Sequence, residues 1–282
     1  MNAERTDVVA EEPEIVISRD GEFAVAQLPR SANECSNCDG RGFVIGIEDG
    51  YEVSVPCSCR SLIGRIRCYN EACLPADYGQ KQLEALAVPK GSNVGKIRTK
   101  LQIHLSQPKP FSERGFMLVG PPGVGKTHIL CSIVRDLTLD QGIPCRYVDF
   151  FHLSERIRSC LGDRGDTRPE DILEPLVEVP ILAIDELGKG MCTPFEIHII
   201  DQLITRRYNA NRRVLVTTNY WPARLRPSAP TAKELHVQPG RKLKRIGESL
   251  EERTDDRIVS RLYEMCEIIE VEGHDYRYGI NA

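Results

Sequence analysis

The stretch GFMLVGPPGVGKTHIL, residues 115–130, constrains the fold of this chain more than any other part of the sequence. A short apolar run leads into a glycine-rich turn, and a lysine, a threonine and a second apolar run follow. The turn fits G-x-x-x-x-G-K-[ST], a pattern that needs a strand before it and a helix after it. Its glycines let backbone N–H groups converge on an anion at the helix N-terminus, where the helix dipole also favours negative charge. The stretch is therefore predicted to bind the phosphates of a nucleoside triphosphate.

Nine consecutive residues make up the candidate ATP-binding turn. Lys126 is expected to reach the β- and γ-phosphates, and the hydroxyl of Thr127 is expected to bind Mg²⁺. His128 is expected to pack beside the turn rather than to catalyse. The alternative interpretation is a glycine turn with a surface lysine. The nine candidates are Gly120, Pro121, Pro122, Gly123, Val124, Gly125, Lys126, Thr127 and His128.

Two later segments supply candidate catalytic partners for Lys126. In VPILAIDELG an apolar strand ends in Asp185, which can hold the magnesium shell, and Glu186, which can polarise a water for attack on the γ-phosphate. In RRVLVTTNY the next strand ends in Asn219, which can donate a hydrogen bond to that water or to the phosphate. A solvated acidic turn and a turn-forming asparagine are the alternatives.

From Gly115 onward, short apolar runs rich in β-formers alternate with longer segments of helical period, which is typical of an α/β fold. We therefore expect a parallel sheet flanked by helices. One helix is expected to begin with Thr193 as cap and Pro194 in the first position, and to contain His198 on its buried face. The predicted strands are 116–119, 146–150, 181–184, 214–217 and 267–271.

Five segments carry a family resemblance: GPPGVGKTH, LAIDELG, LITRRYNANRRVLVTTNY, DDRIVSRLYEM and GHDYR. Together they resemble the DnaC/DnaI helicase-loader branch of the AAA+ ATPases, with the IstB transposition ATPases as close relatives, over roughly residues 77–282. The resemblance implies a P-loop AAA+ ATPase with Glu186 as the catalytic residue and Asn219 as a sensor. It also implies an arginine finger, Arg261 or alternatively Arg257, that acts on a neighbouring subunit and so requires self-association. On the residues alone, Arg261 can instead be a surface arginine paired with Glu264 or Asp256. Arg277 is a candidate second sensor.

The resemblance implies an ATP-dependent helicase loader that binds ATP and single-stranded DNA and docks the replicative DNA helicase. One alternative is an IstB-like transposition ATPase that acts on duplex DNA and a transposase. Another is a nucleotide-sensing adaptor with little turnover, against which the intact pair of Asp185 and Glu186 argues.

Four clustered cysteines precede this region, in CSNCDGRGF and VPCSCR. Cys35, Cys38, Cys57 and Cys59 form two close pairs across a spacer, which is typical of a structural zinc site. A redox C-x-x-C motif and free thiols are the alternatives. Because the cluster has only Phe43 and Tyr51 as candidates for base stacking, a protein partner is favoured over single-stranded DNA.

These features divide the chain into a mobile segment (1–33), a zinc-binding module (34–60), a helical linker (61–108) and the AAA+ domain (109–282). The last contains an insertion at about 222–247, which either faces DNA or is simply solvated. Its basic residues are Arg224, Arg226, Lys233, Arg241, Lys242, Lys244 and Arg245. With 37 Lys and Arg against 41 Asp and Glu, contact with nucleic acid must come from such a local patch. No run of 18 apolar residues or signal-like start is present, so no membrane partner and a cytoplasmic location are expected.

Overall fold

The computed structural model describes most of the chain. Within the described ranges, none of the helices has the length and apolar character to span a membrane. The ranges are 15–28, 35, 37–48, 50–88, 91–162, 168–190, 193–225, 248–273 and 275–276.

A five-stranded parallel sheet forms the centre of the fold, with strand order β6-β7-β8-β5-β9. Every residue of β5 and β7 is buried, because helices cover both faces of the sheet. The predicted α/β fold is confirmed, and each predicted strand lies within one residue of an observed one. The strands are β5 (Gly115–Val119), β6 (Cys145–Asp149), β7 (Ile181–Asp185), β8 (Arg213–Thr218) and β9 (Cys266–Glu270).

Two layers of helices cover the sheet, and alternate strand residues divide between them. Phe116 and Leu118 face the core beneath α1, α2 and α3, whereas Met117 and Val119 face the core beneath α4 to α8. A π-helical turn, Asp136–Asp140, extends α3. The helices are α1 (Ser58–Ala72), α2 (Val94–Leu105), α3 (Lys126–Arg135), α4 (Phe150–Gly162), α5 (Pro169–Glu178), α6 (Pro194–Asn209), α7 (Leu250–Arg253) and α8 (Asp256–Met265).

The start of α6 agrees with the sequence. The side chain of Thr193 accepts a hydrogen bond from the N–H of Glu196, whose carboxylate accepts one in return from the N–H of Thr193. Pro194 takes the first helical position, where its missing N–H costs nothing. His198 differs from expectation, because it is exposed on α6 rather than buried.

The segment before the sheet is more closely integrated than the sequence suggested. Residues 15–28, which fall in the segment expected to be mobile, contain a hairpin of β1 (Val16–Asp20) and β2 (Phe23–Gln27). Ala24 and Ala26 are buried in the same core as α1, and the Asn70 side chain bonds both the N–H and the C=O of Ala26, at 2.7 and 3.0 Å. The hairpin is held because its apolar face and its backbone both find partners on α1.

The cysteine region contains a second hairpin, β3 (Phe43–Glu48) with β4 (Tyr51–Pro56). Cys57 is the N-cap of α1 and Cys59 lies in its first turn, so the expected boundary at residue 60 falls inside a helix. Of the expected insertion, Arg224 lies in a short 3₁₀ turn (Ala223–Leu225), and its other basic residues lie outside the described residues.

Candidate functional site

The glycine-rich turn joins β5 to α3, and its lysine points back into the turn. Gly123 and Gly125 have φ angles of 83° and 94°, in the left-handed region that favours glycine. The Nζ atom of Lys126, which is buried, donates to the carbonyl oxygens of Gly120 and Pro121 at 2.8 and 2.7 Å. The turn therefore holds a positive charge in place, bonded to carbonyls that a bound phosphate can replace.

Asp185, at the end of β7, is buried beside this turn and accepts three hydrogen bonds. Thr127 donates to Oδ1 at 3.1 Å, Tyr147 donates to Oδ2 at 2.8 Å, and the hydroxyl of Thr217 also donates to Oδ1. Burial raises the pKa of Asp185, and the bonds from Thr217, Tyr147 and Thr127 act in the opposite direction. The sequence did not identify Tyr147 or Thr217 as partners of this carboxylate.

Thr127 and Asp185 form an oxygen pair of the kind that Mg²⁺ prefers. A hydroxyl and a carboxylate oxygen meet at the helix N-terminus, beside the lysine that is expected to reach the phosphates. The residues present therefore fit a magnesium ion.

Glu186 follows Asp185 directly and has an unusual backbone conformation. Its φ is 56°, and its N–H donates to Oγ1 of Thr217 at 3.0 Å. Its carboxylate pairs with Lys189, and this contact raises the pKa of Lys189. Thr217 thus contacts both acidic residues, donating to Asp185 and accepting from Glu186.

These side chains surround a cavity of about 360 Å³. Glu186 and Asn219 lie on its wall with the turn, which brings the predicted phosphate-binding, acidic and sensor residues together. Tyr78 and His128 add an aromatic edge, with ring centroids 6.2 Å apart, and burial lowers the pKa of His128. The full lining is Tyr78, Pro122, Gly123, Gly125, Lys126, Thr127, His128, Glu186, Thr217, Asn219 and Tyr276.

The two candidate finger arginines lie on α8, and neither lines the cavity. Arg261 pairs with Asp201 of α6 at 2.9 Å, rather than with either carboxylate considered from the sequence, and its side chain is 27% exposed. Arg257 is 73% exposed and contacts Asp255 at 3.4 Å. Arg277 lies outside the described residues.

The four clustered cysteines have the geometry of a metal site. Their Sγ atoms all lie within 4.8 Å of one another, and the pairs Cys35–Cys57 and Cys38–Cys59 are each 3.6 Å apart. Four thiolates around one zinc ion, at Zn–S distances of about 2.3 Å, would be roughly 3.8 Å apart. The sulfur set therefore fits zinc.

Backbone amides support this cluster. The N–H of Gly42 donates to Sγ of Cys38 at 3.2 Å, and the N–H of Cys59 lowers the pKa of Cys57 to about 7, whereas burial raises the pKa of Cys59. A lowered pKa favours the thiolate, which is the form that binds metal. Cys68 and Cys73 are not part of the cluster.

Comparison with known proteins shows which proteins the region around this site is similar to. Residues 112–224 match the sequence model of the IstB-like ATP binding protein family. The replicative helicase loader DnaC of Buchnera aphidicola subsp. Baizongia pistaciae is 31% identical over 104 residues, which is 37% of this chain and 42% of that protein. A putative ATP-binding protein of insertion sequence IS5376 from Geobacillus stearothermophilus is 29% identical over 109 residues, 38% of this chain and 41% of that protein.

The matches to these relatives are partial, since the chain spans only about two fifths of their length. A crystal structure of the DnaC helicase loader shares the fold, with a TM-score of 0.54 and 23% identity over 70% of this chain and 99% of that one. Residues 112–224 are thus similar in sequence to the IstB-like ATP binding proteins, part of the chain is similar to DnaC, and the parallel sheet shares the fold of the DnaC structure. In this chain a four-cysteine cluster precedes that region.

Proposed function

We propose that this protein is an ATP-dependent loader of a replicative DNA helicase. The observation that carries the proposal is the similarity of 104 residues of this chain to proteins named replicative helicase loader DnaC. In this proposal the AAA+ domain binds ATP and single-stranded DNA, and the four-cysteine module docks the helicase.

ATP hydrolysis would use the residues around the cavity. Lys126 would exchange the carbonyl oxygens of Gly120 and Pro121 for phosphate oxygens. Thr127 and Asp185 would hold Mg²⁺, which neutralises charge on the phosphates when it is bound. Glu186 would accept a proton from the attacking water, and Asn219 would orient that water or the γ-phosphate.

Completion of the site by a second subunit is supported by the positions of the arginines on α8. Because neither Arg257 nor Arg261 lines the cavity of its own chain, either would serve as a finger only for a neighbour. Arg261 would have to leave Asp201 to do so, whereas Arg257 is already exposed. Mixing Lys126→Ala chains with chains that carry Arg257→Ala or Arg261→Ala identifies the finger. Activity returns in the mixture only when the substituted arginine acts in trans.

Docking of a protein by the four-cysteine module is supported by its exposed apolar side chains. Ile45, Ile47 and Tyr51 are 63%, 80% and 76% exposed on the hairpin of β3 and β4. Ile45 and Ile47 lie two residues apart and share one face of the hairpin, whereas Tyr51 lies on the other face. Exposed apolar side chains that share a face are typical of protein interaction sites.

Turnover of ATP tests the enzymatic part of the proposal. We expect hydrolysis by the wild type in the presence of single-stranded DNA, and its loss in Glu186→Gln with ATP binding retained. A wild-type rate equal to that of Glu186→Gln under all conditions would favour the nucleotide-sensing adaptor.

Loading tests the whole proposal. The protein is incubated with ATP, the replicative helicase of its host and single-stranded DNA coated with single-strand-binding protein, and the helicase retained on DNA is measured. We expect retention with the wild type and its loss with Lys126→Ala. Lys100→Ala is the matched control, because Lys100 pairs with Glu267 and does not line the cavity.

An IstB-like function is the second candidate, favoured by the family match over residues 112–224 and by the insertion-sequence relative. It would act on duplex DNA and a transposase. ATP-dependent assembly on duplex DNA, with no helicase retained in the loading experiment, would replace the loader proposal with this one.

A further inference from the structure

The loop that carries Glu186 contains three residues with a left-handed backbone conformation. Glu186, Gly188 and Gly190 all have positive φ angles, of 56°, 85° and 103°. A non-glycine residue in this region costs free energy, so the surrounding structure must hold the loop in place. The Leu187 N–H bonds the carbonyl oxygen of Thr217, which fixes the start of the loop to β8.

Arg253 of α7 bonds the far end of this loop. Its Nε atom donates to the carbonyl oxygen of Gly188 at 3.0 Å, and its Nη2 atom donates to that of Gly190. Its Nη1 atom pairs with Glu248 at 2.9 Å, and its side chain is only 15% exposed. One guanidinium group therefore joins two carbonyls of the loop to a carboxylate that neutralises it.

The same guanidinium reaches the segment after β8. It lies over the ring of Tyr220, 4.9 Å from the centroid, and Tyr220 directly follows Asn219. Gly188 packs between them, since a Cβ there would lie 3.0 Å from the Tyr220 ring and 3.4 Å from Cβ of Arg253. In addition, the N–H of Leu250 in α7 bonds the carbonyl oxygen of Trp221 at 2.9 Å.

We propose that Arg253 is a positioning residue for hydrolysis, which fixes the loop of Glu186 against the segment that begins with Asn219. This inference rests on the proposed role of Glu186. Arg253 does not line the cavity, so it would act through the loop and not on the nucleotide. Lysine cannot replace it, because a point charge lacks the planar fork that bonds two carbonyls while it stacks on a ring.

Two measurements on Arg253→Met and Arg253→Lys test this role. The first separates turnover from binding: we expect kcat to fall about 10- to 100-fold for Met, with ATP affinity within about twofold of wild type, because small misplacements of a catalytic group have effects of this size. Arg253→Lys is expected to have a kcat between those of Arg253→Met and the wild type. Arg206→Met is the control, since Arg206 makes a bidentate pair with Glu174 and does not contact the loop.

The second measurement is amide hydrogen exchange, which does not depend on turnover. Residues 186–190 are expected to exchange faster in Arg253→Met, while β5 and β7 keep their protection. Unchanged exchange and unchanged kcat would overturn the proposal, as would faster exchange throughout the domain, which would indicate a general structural role. If the wild type and Glu186→Gln hydrolyse ATP equally, the proposed function fails, and the exchange of residues 186–190 alone decides whether Arg253 holds the loop.

Discussion

Tyr147 offers a direct test of how the proposed magnesium site is built. It lies on β6, opposite Ala183 of β7, and its hydroxyl donates to Oδ2 of Asp185 at 2.8 Å. Both side chains are buried, with exposures of 9% and 2%. Tyr147→Phe therefore removes one donor from a buried carboxylate and changes little else in the packing.

The size of the expected effect on Mg²⁺ binding follows from two independent ranges, one for hydrogen bonds to charged groups and one for groups that orient metal ligands. A hydrogen bond to a charged group contributes about 1.5–3 kcal/mol, and loss of a group that orients a metal ligand typically weakens metal binding about 10- to 100-fold. Since about 1.4 kcal/mol corresponds to a factor of ten, these ranges agree. We expect Tyr147→Phe to raise the Mg²⁺ concentration needed for half-maximal nucleotide binding by roughly 10- to 100-fold.

The pH dependence of Mg²⁺ binding should shift to higher pH in Tyr147→Phe. Burial raises the pKa of Asp185 and the bond from Tyr147 lowers it, so the variant has the higher pKa. Because only the ionised carboxylate binds Mg²⁺, binding is lost as pH falls, and the variant loses it at a higher pH than the wild type.

The assay is binding of a fluorescent ATP analogue, titrated with Mg²⁺ and repeated in EDTA. Tyr69→Phe is the control, because it removes another buried hydroxyl, which donates to the carbonyl oxygen of Gly79 at 2.9 Å. An unchanged Mg²⁺ titration for Tyr147→Phe would refute the reasoning. So would a loss of nucleotide affinity, relative to the wild type, that is as large in EDTA as in Mg²⁺.

Three further predictions concern stability and metal content. Arg207→Met should lower the free energy of unfolding, measured in urea, by about 3 kcal/mol or more, because the fully buried guanidinium donates to five backbone carbonyls. A loss of stability no larger than that of Arg206→Met would contradict this prediction. Purified protein should contain about one zinc per chain, and a chelator should release the zinc and make the cysteine thiols react faster with a thiol reagent. Cys38→Ser should abolish zinc binding. Metal-free protein whose thiols react slowly would exclude the site. Gly123→Ala should lower the melting temperature more than Gly125→Ala, because both have positive φ but only at Gly123 would a Cβ lie 2.0 Å from Asp275.

The sequence predicted the sheet and the positions of the acidic residues well, for a physical reason. Buried parallel strands are short apolar runs, so β5 and β7 can each be recognised in the sequence without knowledge of the neighbouring strands. The carboxyl ends of parallel strands meet at one edge, so the order of the motifs was enough to bring Asp185 and Asn219 to the glycine-rich turn.

Contacts that depend on register or on distant partners were not predictable. Tyr147 reads as an ordinary strand residue, and its bond to Asp185 exists only because β6 pairs with β7 in one register. The β1–β2 hairpin depends on Asn70, which lies 44 residues after Ala26. His198 was misplaced because its neighbours are apolar, although the buried residues of α6, such as Ile199 and Leu203, follow the helical period and leave position 198 outside.

Helix α1 gives the four-cysteine cluster an unusual mechanical setting. The helix begins among the cysteines, with Cys57 as its cap, and packs along β6 and the π-helical turn after α3. Fifteen residues of helix extend about 22 Å. Beyond its end the chain soon reaches Tyr78, on the wall of the cavity. If the proposed partner binds the hairpin, a rigid helix packed on the sheet would therefore connect it to the cavity wall, and not a flexible linker.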